Sequence, residues 1–329
     1  MKIKAAWYTQ QGAADKVLTV SELDYPDLKP DEVLIRIHTS GINPSDVKRR
    51  YDTNRPLQFP TIIPHSDGAG VIEAVGENVS VDRIKQRVWL YNAQWQRAFG
   101  TAATHITVPA YLAIPLPDAA SFTAGACLGI PAMTAHRAVF ADGPVNNQTI
   151  LVTGGAGNVA RYAIQFAKWG GAKVITTVSS SEKANYAKEA GADHIINYRN
   201  ENVSKKILEL TAGEGVDRIV EVDFGGNLAI SNTILKLNGI IASYASMGNI
   251  NPALPFYPLM FKGITIRLVN VYELPLAARQ HAIKDITTLL SNNSLQHVIA
   301  ETLPLDNIVL AHKMVEANKQ VGNIILVGD

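Results

Sequence analysis

The chain has 329 residues, more than one ordinary compact core accommodates, so two domains are expected. Its 30 basic and 29 acidic residues leave a formal net charge of +1, which argues against a large electrostatic surface for nucleic acid. A single cysteine, Cys127, excludes an internal disulfide and any multi-cysteine zinc site. The opening MKIKAAWYTQQG carries no apolar core of signal-peptide length and no apolar run is long enough to span a bilayer, so a cytoplasmic protein without membrane partners is expected.

Residues 1–120 read as mostly β. Strands are expected at Ile3–Tyr8, Leu18–Glu22 and Glu32–Thr39, separated by Gly, Asp and Pro turns. The third alternates with period two and places Val33, Ile35 and Ile37 on one face. Gly41-Ile-Asn-Pro-Ser-Asp46 reads as a turn leading into a basic segment, Val47-Lys-Arg-Arg-Tyr51. Pro64-His-Ser-Asp-Gly-Ala-Gly70 leads into Val71–Gly76, Arg87–Tyr91 is a further strand, Ala93–Ala103 a loop and His105–Val108 a short strand. Residues 121–148 read as helical.

At Thr149 the pattern changes. Ile150-Leu-Val152 is an uncharged apolar run, as in a strand buried on both faces. Gly154, Gly155 and Gly157 follow, then Val159, Ala163, Phe166 and Ala167 at helical spacing, a Gly170-Gly171 stop, and a second β-branched run at Val174–Val178. Gly155-x-Gly157-x-x-Ala160 fits the dinucleotide fingerprint. The first glycine is expected to supply dihedral freedom, the second close approach to a pyrophosphate, and Ala160 tight helix packing. The N–H groups of Gly157, Asn158 and Val159 would face the phosphates from the positive end of the helix dipole. An NAD site places an acid about 20 residues on, at the end of the second strand. This chain has Ser179, Ser180, Ser181 and then Lys183, with Glu182 facing solvent. Hydroxyls and an ammonium suit a 2′-phosphate, so NADPH is expected over NADH, although the serines also suit a helix cap.

The rhythm continues with strands at His194–Asn197, Arg218–Val222, Gly239–Tyr244 and Ile264–Val269, and helices at Glu182–Ala190, Asn202–Thr211 and Leu228–Leu237. Helices at Leu276–Leu290 and Ile308–Ala317 and a strand at Ile324–Val327 form a tail too small to fold alone. It is expected to return to the first domain. The β-branched last strand, Ile264–Val269, would be a sheet edge and the seam of a homodimer.

Five segments in this order, GINPSD (41–46), PHSDGAGVIEAVG (64–76), LGIPAMTAHRAV (128–139), the glycine turn and AGADHIINYR (190–199), resemble the medium-chain dehydrogenase/reductase superfamily. Within it they are most similar to the zinc-free quinone oxidoreductases related to zeta-crystallin. The resemblance implies an α/β fold, a Rossmann doubly wound parallel sheet plus a GroES-like mostly-β barrel domain. The implied domains are 1–120, completed by 271–329, and 121–270, with the active site in the cleft between.

Position by position, the resemblance implies NADPH contacts from Asn43 and Thr134 near the nicotinamide and from Ala156, Gly157, Asn158 and Val159 at the pyrophosphate. It implies Ser179, Lys183 and Tyr198 at the 2′-phosphate. Asn227, Ser243, Tyr244, Ala245, Ser246, Val269, Asn270 and Val271 would wall the nicotinamide ribose. Zinc-dependent relatives carry a cysteine near Asn43 and a histidine where Ser66 stands; His65 and Asp67 remain as a pair short of a ligand set, and no metal is expected. Departures fall at Asn158 and Ala160 in the turn, at Lys48 and Asn54 where relatives carry tyrosines, and at Asn318 where an arginine would reach the 2′-phosphate.

The implied reaction is hydride transfer from NADPH to a quinone or similar conjugated carbonyl. The cofactor supplies the chemistry and the protein positions it. Asn43 and Tyr51 are the catalytic candidates, with Asn92 and Trp95 lining the pocket; His105 and His136 are expected to pack or cap. An alkenal or enoyl-thioester reductase on the same scaffold is the near alternative and would need a proton donor such as Tyr51. A non-enzymatic role, RNA-binding or crystallin-like, is the distant one, with Lys48-Arg49-Arg50 as its basic run.

Overall fold

The computed structural model describes residues 2–25 and 27–328. The chain divides into two compact units, residues 1–130 with 283–329 and residues 131–282. The divisions therefore lie near 130 and 283, some ten residues beyond the expected 120 and 270. Thr39 Oγ1 donates to the Phe122 carbonyl at 2.7 Å and the Ile130 N–H donates to the Asp67 carboxylate at 2.9 Å, which holds 121–130 to the first unit.

The first unit opens with β1 (Lys2–Trp7), a short helix α1 (Ala14–Val17) and β2 (Thr19–Asp24), which pairs antiparallel with β1. In β3 (Glu32–Ile42) the expected face is realised: Val33, Ile35 and Ile37 are all buried. The strand runs on to Ile42 because Thr39, Ser40 and Gly41 stay in register with β4 (Asp67–Val75). Gly41 has a steric reason, since a Cβ there would lie 2.0 Å from the Ala126 carbonyl oxygen.

The expected turn and basic segment are thus a strand end followed by a helix, α2 (Pro44–Tyr51). Asn43 is its N-cap, Pro44 opens the first turn, and the Asp46 carboxylate accepts the Asn43 N–H at 2.8 Å. Next come β5 (Arg87–Leu90), β6 (His105–Pro109), β7 (Ala113–Pro115) and α3 (Phe122–Gly125), and α4 (Gly129–Phe140) carries the chain into the second unit.

The second unit alternates strand and helix: β8 (Thr149–Val152), α5 (Asn158–Trp169), β9 (Lys173–Val178), α6 (Ser181–Glu189), β10 (His194–Asn197), α7 (Val203–Leu210), β11 (Val216–Glu221), α8 (Phe224–Ile234), β12 (Leu235–Ser243), α9 (Phe256–Phe261) and β13 (Thr265–Leu268). The strand order is β10-β9-β8-β11-β12-β13, parallel throughout. Numbered from β8, this is 3-2-1-4-5-6, the dinucleotide-binding order, and its direction reverses between β8 and β11. The helix expected at 228–237 begins at Phe224 and yields at Leu235, because Leu235 pairs with Val216 in the sheet. Helix α9 has no amphipathic period to betray it: of its apolar residues Leu259 alone is buried.

The tail adds α10 (Leu276–Ser291), β14 (Ile299–Pro304), α11 (Ile308–Ala317) and β15 (Asn323–Val327). Strand β15 pairs antiparallel with β3, and β14, a mixed polar segment that alternation does not reveal, pairs parallel with β15. The first unit's sheet then runs β14-β15-β3-β4-β5-β7, with β6 also on β3. Ile308, Ala311, Ile324 and Leu326 join Ile3, Ile42 and Val47 in one core, so the two ends of the chain share one hydrophobic interior.

Candidate functional site

The glycine turn lies between β8 and α5, at the carboxyl end of a strand that borders the point where the sheet order reverses. The positive dihedral falls on Gly154 (φ +66°), one residue before the glycine expected to provide it. Gly155 is required for another reason: a Cβ there would lie 2.2 Å from Thr176 Oγ1, which is itself bonded to the Val152 carbonyl. Gly157 is exposed, and a Cβ on it would meet only the Gly154 carbonyl oxygen at 3.3 Å.

The Gly157 N–H is committed to that carbonyl at 2.8 Å, which removes it from the three donors expected to face a phosphate. The first helical bond of α5 runs from the Arg161 N–H to the Gly157 carbonyl. Asn158, Val159 and Ala160 therefore supply the helix-start N–H groups that no carbonyl of the helix can satisfy. Gly157 as N-cap offers no side chain to cap them. Ala160 is buried, as close helix–strand packing requires, and Ala156 is half-buried in the turn.

At the end of β9 the cap is Ser180, whose hydroxyl accepts the Lys183 N–H at 3.3 Å. Ser179 and Lys183 are half-buried beside it, and Glu182 is exposed. The Tyr198 N–H bonds the Val178 carbonyl at 3.1 Å, which brings Tyr198, half-exposed, to the same strand end as Ser179.

At the end of β11, Glu221 is fully buried; its Oε1 accepts Thr153 Oγ1 at 2.8 Å, the Asp223 N–H at 2.7 Å and Asn227 Nδ2 at 2.9 Å. Burial pushes its carboxyl above the ordinary range. Several of the residues expected to wall the ribose are tied around this group by hydrogen bonds to backbone. The Tyr244 N–H and the Ser243 hydroxyl both reach the Glu221 carbonyl, the Val269 N–H reaches the Ser243 carbonyl, and Ala245 accepts the Phe224 N–H. Ser246 Oγ accepts the Gly225 N–H, Asn270 caps the turn at Val271–Glu273, and Val271 is buried. The polar side chains of Asn227, Ser243, Ser246 and Asn270 are thus engaged in holding the loops. Thr134 is buried in α4.

In the first unit Asn43 is buried at the start of α2, and its Nδ2 donates to Asp67 Oδ2 at 2.8 Å. Asp67 is fully buried and also accepts the Ile130 N–H; burial drives its carboxyl well above the ordinary range. Burial likewise pushes Asp46 up to about 7. Tyr51, the other catalytic candidate, stands 62% exposed at the far end of the same helix. Eight residues at about 1.5 Å each separate it from Asn43 by about 12 Å along the axis. Trp95 receives the Arg49 guanidinium over its ring, and Asn92 is buried at φ +53°.

Of the basic run, only Lys48 is exposed. Arg50 is fully buried, and Arg49 bonds Gln94 and Gln58. His105 pairs with Glu73, and His136 packs among Phe140 and Phe166.

The sequence offers His65 only as a pair with Asp67 and gives no sign of its partner, His312. Both are fully buried and their Nε2 atoms are 2.9 Å apart. The one signal was a histidine at the place of a glycine in the aligned motif, and here it adopts φ +80°.

Two family models match the chain: "Zinc-binding dehydrogenase" over residues 159–292 and "Alcohol dehydrogenase GroES-like domain" over residues 29–118. The human quinone oxidoreductase is 29% identical over 310 residues, covering 93% of this chain and 92% of that one. A tomato 2-methylene-furan-3-one reductase is 33% identical over 246 residues, 70% of this chain and 62% of its own. Among solved structures, the quinone oxidoreductase of Pseudomonas syringae superposes with TM-score 0.86 at 25% identity, covering 99% of both chains. A mycobacterial protein solved with NADPH does so with TM-score 0.85 at 26% identity, again over 99% of both. The two units and the glycine turn are those of oxidoreductases that use a nicotinamide cofactor. The chain belongs to the medium-chain dehydrogenase/reductase superfamily.

The first of those model names implies zinc, and the residues around Asn43 do not fit it. Both ring nitrogens of His65 are engaged, by Ser40 and His312, and Cys127 donates its thiol to the Thr123 carbonyl. Among the described residues, no three ligand-type side chains converge at Asn43.

Proposed function

We propose that this protein is an NADPH-dependent reductase of quinones or similar conjugated carbonyls and works without zinc. The observation that carries the reading is the start of α5 behind Gly157, where no side chain caps the first-turn N–H groups and a Cβ on Gly157 would meet only the Gly154 carbonyl oxygen. When bound, NADPH supplies a hydride; the protein holds the cofactor. Asn158, Val159 and Ala160 would hold the pyrophosphate by their N–H groups. Ser179, Lys183 and Tyr198 would hold the 2′-phosphate, where a carboxylate would repel it. Asn43 would sit at the nicotinamide. The relatives named for quinone reduction and the relative solved with NADPH support this reading.

The test is steady-state oxidation of NADPH and NADH across quinones, alkenals and enoyl thioesters. NADPH should be preferred, and Lys183→Glu should reduce that preference about tenfold, the worth of one charge-assisted contact. Equal Michaelis constants for both cofactors, unmoved by Lys183→Glu, would refute it.

The alternative of an alkenal or enoyl-thioester double-bond reductase is favoured by the tomato relative. It needs a proton donor at carbon, and the exposed Tyr51 is poorly placed for one. RNA binding loses support because Arg50 is buried.

We also propose that the protein is a cytoplasmic homodimer. Strand β13 ends its sheet with Leu268 73% exposed, and Phe256, Tyr257 and Phe261 of α9 are exposed in the same unit, a surface suited to a second copy. A sedimentation mass of one chain at micromolar concentration would refute the dimer.

A further inference from the structure

A line of buried polar groups crosses the first unit from α2 to β4. Arg50 Nε lies 3.3 Å from His312 Nδ1, His312 Nε2 lies 2.9 Å from His65 Nε2, and His65 Nδ1 lies 2.8 Å from Ser40 Oγ. Ser40 Oγ lies 2.8 Å from Thr101 Oγ1, which lies 2.6 Å from the Asp67 carbonyl oxygen. Every member from Arg50 to Asp67 is buried.

The direction of each proton follows from the two ends. A carbonyl only accepts, so Thr101 spends its hydroxyl proton on Asp67 and must accept from Ser40. Ser40 then accepts from His65, which therefore carries its proton on Nδ1 and offers Nε2 as an acceptor. From the other end, the guanidinium only donates, so His312 accepts on Nδ1 and donates from Nε2. Both ends require the same orientation at the His65–His312 contact, and both imidazoles must be neutral.

The line also closes on itself. Asp67 holds the Asn43 amide, Asn43 caps α2, and α2 carries Arg50 in its last turn. Arg50 is further tied to the Gly12 carbonyl and to Glu316, one turn beyond His312 on α11. We infer that His312 and His65 are positioning residues in a one-way hydrogen-bond line from Arg50 to Asp67, which the Asn43–Asp67 bond and α2 close into a ring, and that they thereby fix the amide of Asn43 for the hydride acceptor site. His65 accepts a left-handed backbone at φ +80° to take part, a conformation with a steric cost that glycine would avoid. Burial keeps both rings from protonating, His312 down to about 3, with Arg50 adding to the effect.

This inference rests on the assignment of Asn43 to the nicotinamide site, so its test has one arm that needs no turnover. Long-range ¹H–¹⁵N correlation spectra of the whole protein should show His65 as the Nδ1–H tautomer and His312 as the Nε2–H tautomer, both neutral at pH 7 and pH 5. The Asn43 side-chain amide resonances should move in His312→Leu and hold in His312→Gln, whose amide can accept from Arg50 and donate to His65. In turnover, His312→Leu should lower kcat about tenfold while the KM for NADPH changes less than about twofold, and His312→Gln should restore kcat to within about twofold. An opposite tautomer, or a ring protonated at pH 5, overturns the ring. Equal kcat losses in the Leu and Gln variants, or an unmoved Asn43 amide in His312→Leu, overturn the positioning role. Should His312→Leu not fold, the tautomers and the Gln variant decide. If the wild type reduces no acceptor, the proposed reaction fails, and the spectra still decide the ring.

Discussion

The start of α5 and the start of α2 are both helix N-termini at the carboxyl end of a strand, and they are built on opposite plans. At α5 the chain removes side chains: Gly157 caps without a polar group and the helix-start donors are left open. At α2 it adds them: Asn43, Asp46 and Asp67 fill the helix start with mutual hydrogen bonds. An open N-terminus suits a phosphate that must come and go. A filled one cannot receive an anion, and suits a side chain that must stay still. The first plan needs only local sequence. The second draws on groups from β3, β4, α11 and the loop at Thr101, up to 262 residues apart in the chain.

Five variants would break or sharpen this contrast. The largest effect should come from Arg50→Met, which leaves buried acceptors on His312 and Gly12 without a donor. It should cost about 4 kcal/mol in urea unfolding, and a cost below about 1 kcal/mol would make the ring a bystander. Gly155→Val should cost about 3 kcal/mol through its clash with Thr176. Gly157→Ala, with room for a methyl, should change stability by less than about 0.5 kcal/mol. It should weaken NADPH binding about tenfold by calorimetry. If the two glycine variants behave alike, the turn is not open by design.

Next is the response to acid. The unfolded His312 takes up a proton near 6.5, whereas the folded one resists until about 3, so acid favours unfolding of the wild type through this residue. Stability of His312→Gln relative to wild type should therefore rise by about 1.4 kcal/mol per pH unit as pH falls from about 6.5, read from urea midpoints at pH 7, 6 and 5. Buried Asp46, raised to about 7, acts with the opposite sign in both proteins and cancels in the difference. The smallest effect should be that of Tyr51→Phe, within about twofold in quinone turnover, since the ring is solvent-facing. A loss beyond tenfold would make Tyr51 a proton donor and favour the double-bond reductase.

The sequence by itself determined the second unit almost element by element, because each of its signals is local. An apolar strand, a glycine turn and an amphipathic helix announce themselves within about ten residues of one another, and their repetition leaves little choice of topology. The same locality made the serines after β9 legible as a helix cap, which Ser180 supplies. Only the tertiary structure decided that α2 is a helix with a buried arginine. The reason is that Arg50 carries the composition of a surface residue and is explained by partners at Gly12, His312 and Glu316. It also moved the left-handed residue from Gly155 to Gly154 and withdrew the Gly157 N–H from the site, since turn geometry depends on which carbonyl each amide meets. The histidine pair was illegible for the same reason: a histidine's role is set by what touches its two nitrogens, and those contacts span 247 residues of chain.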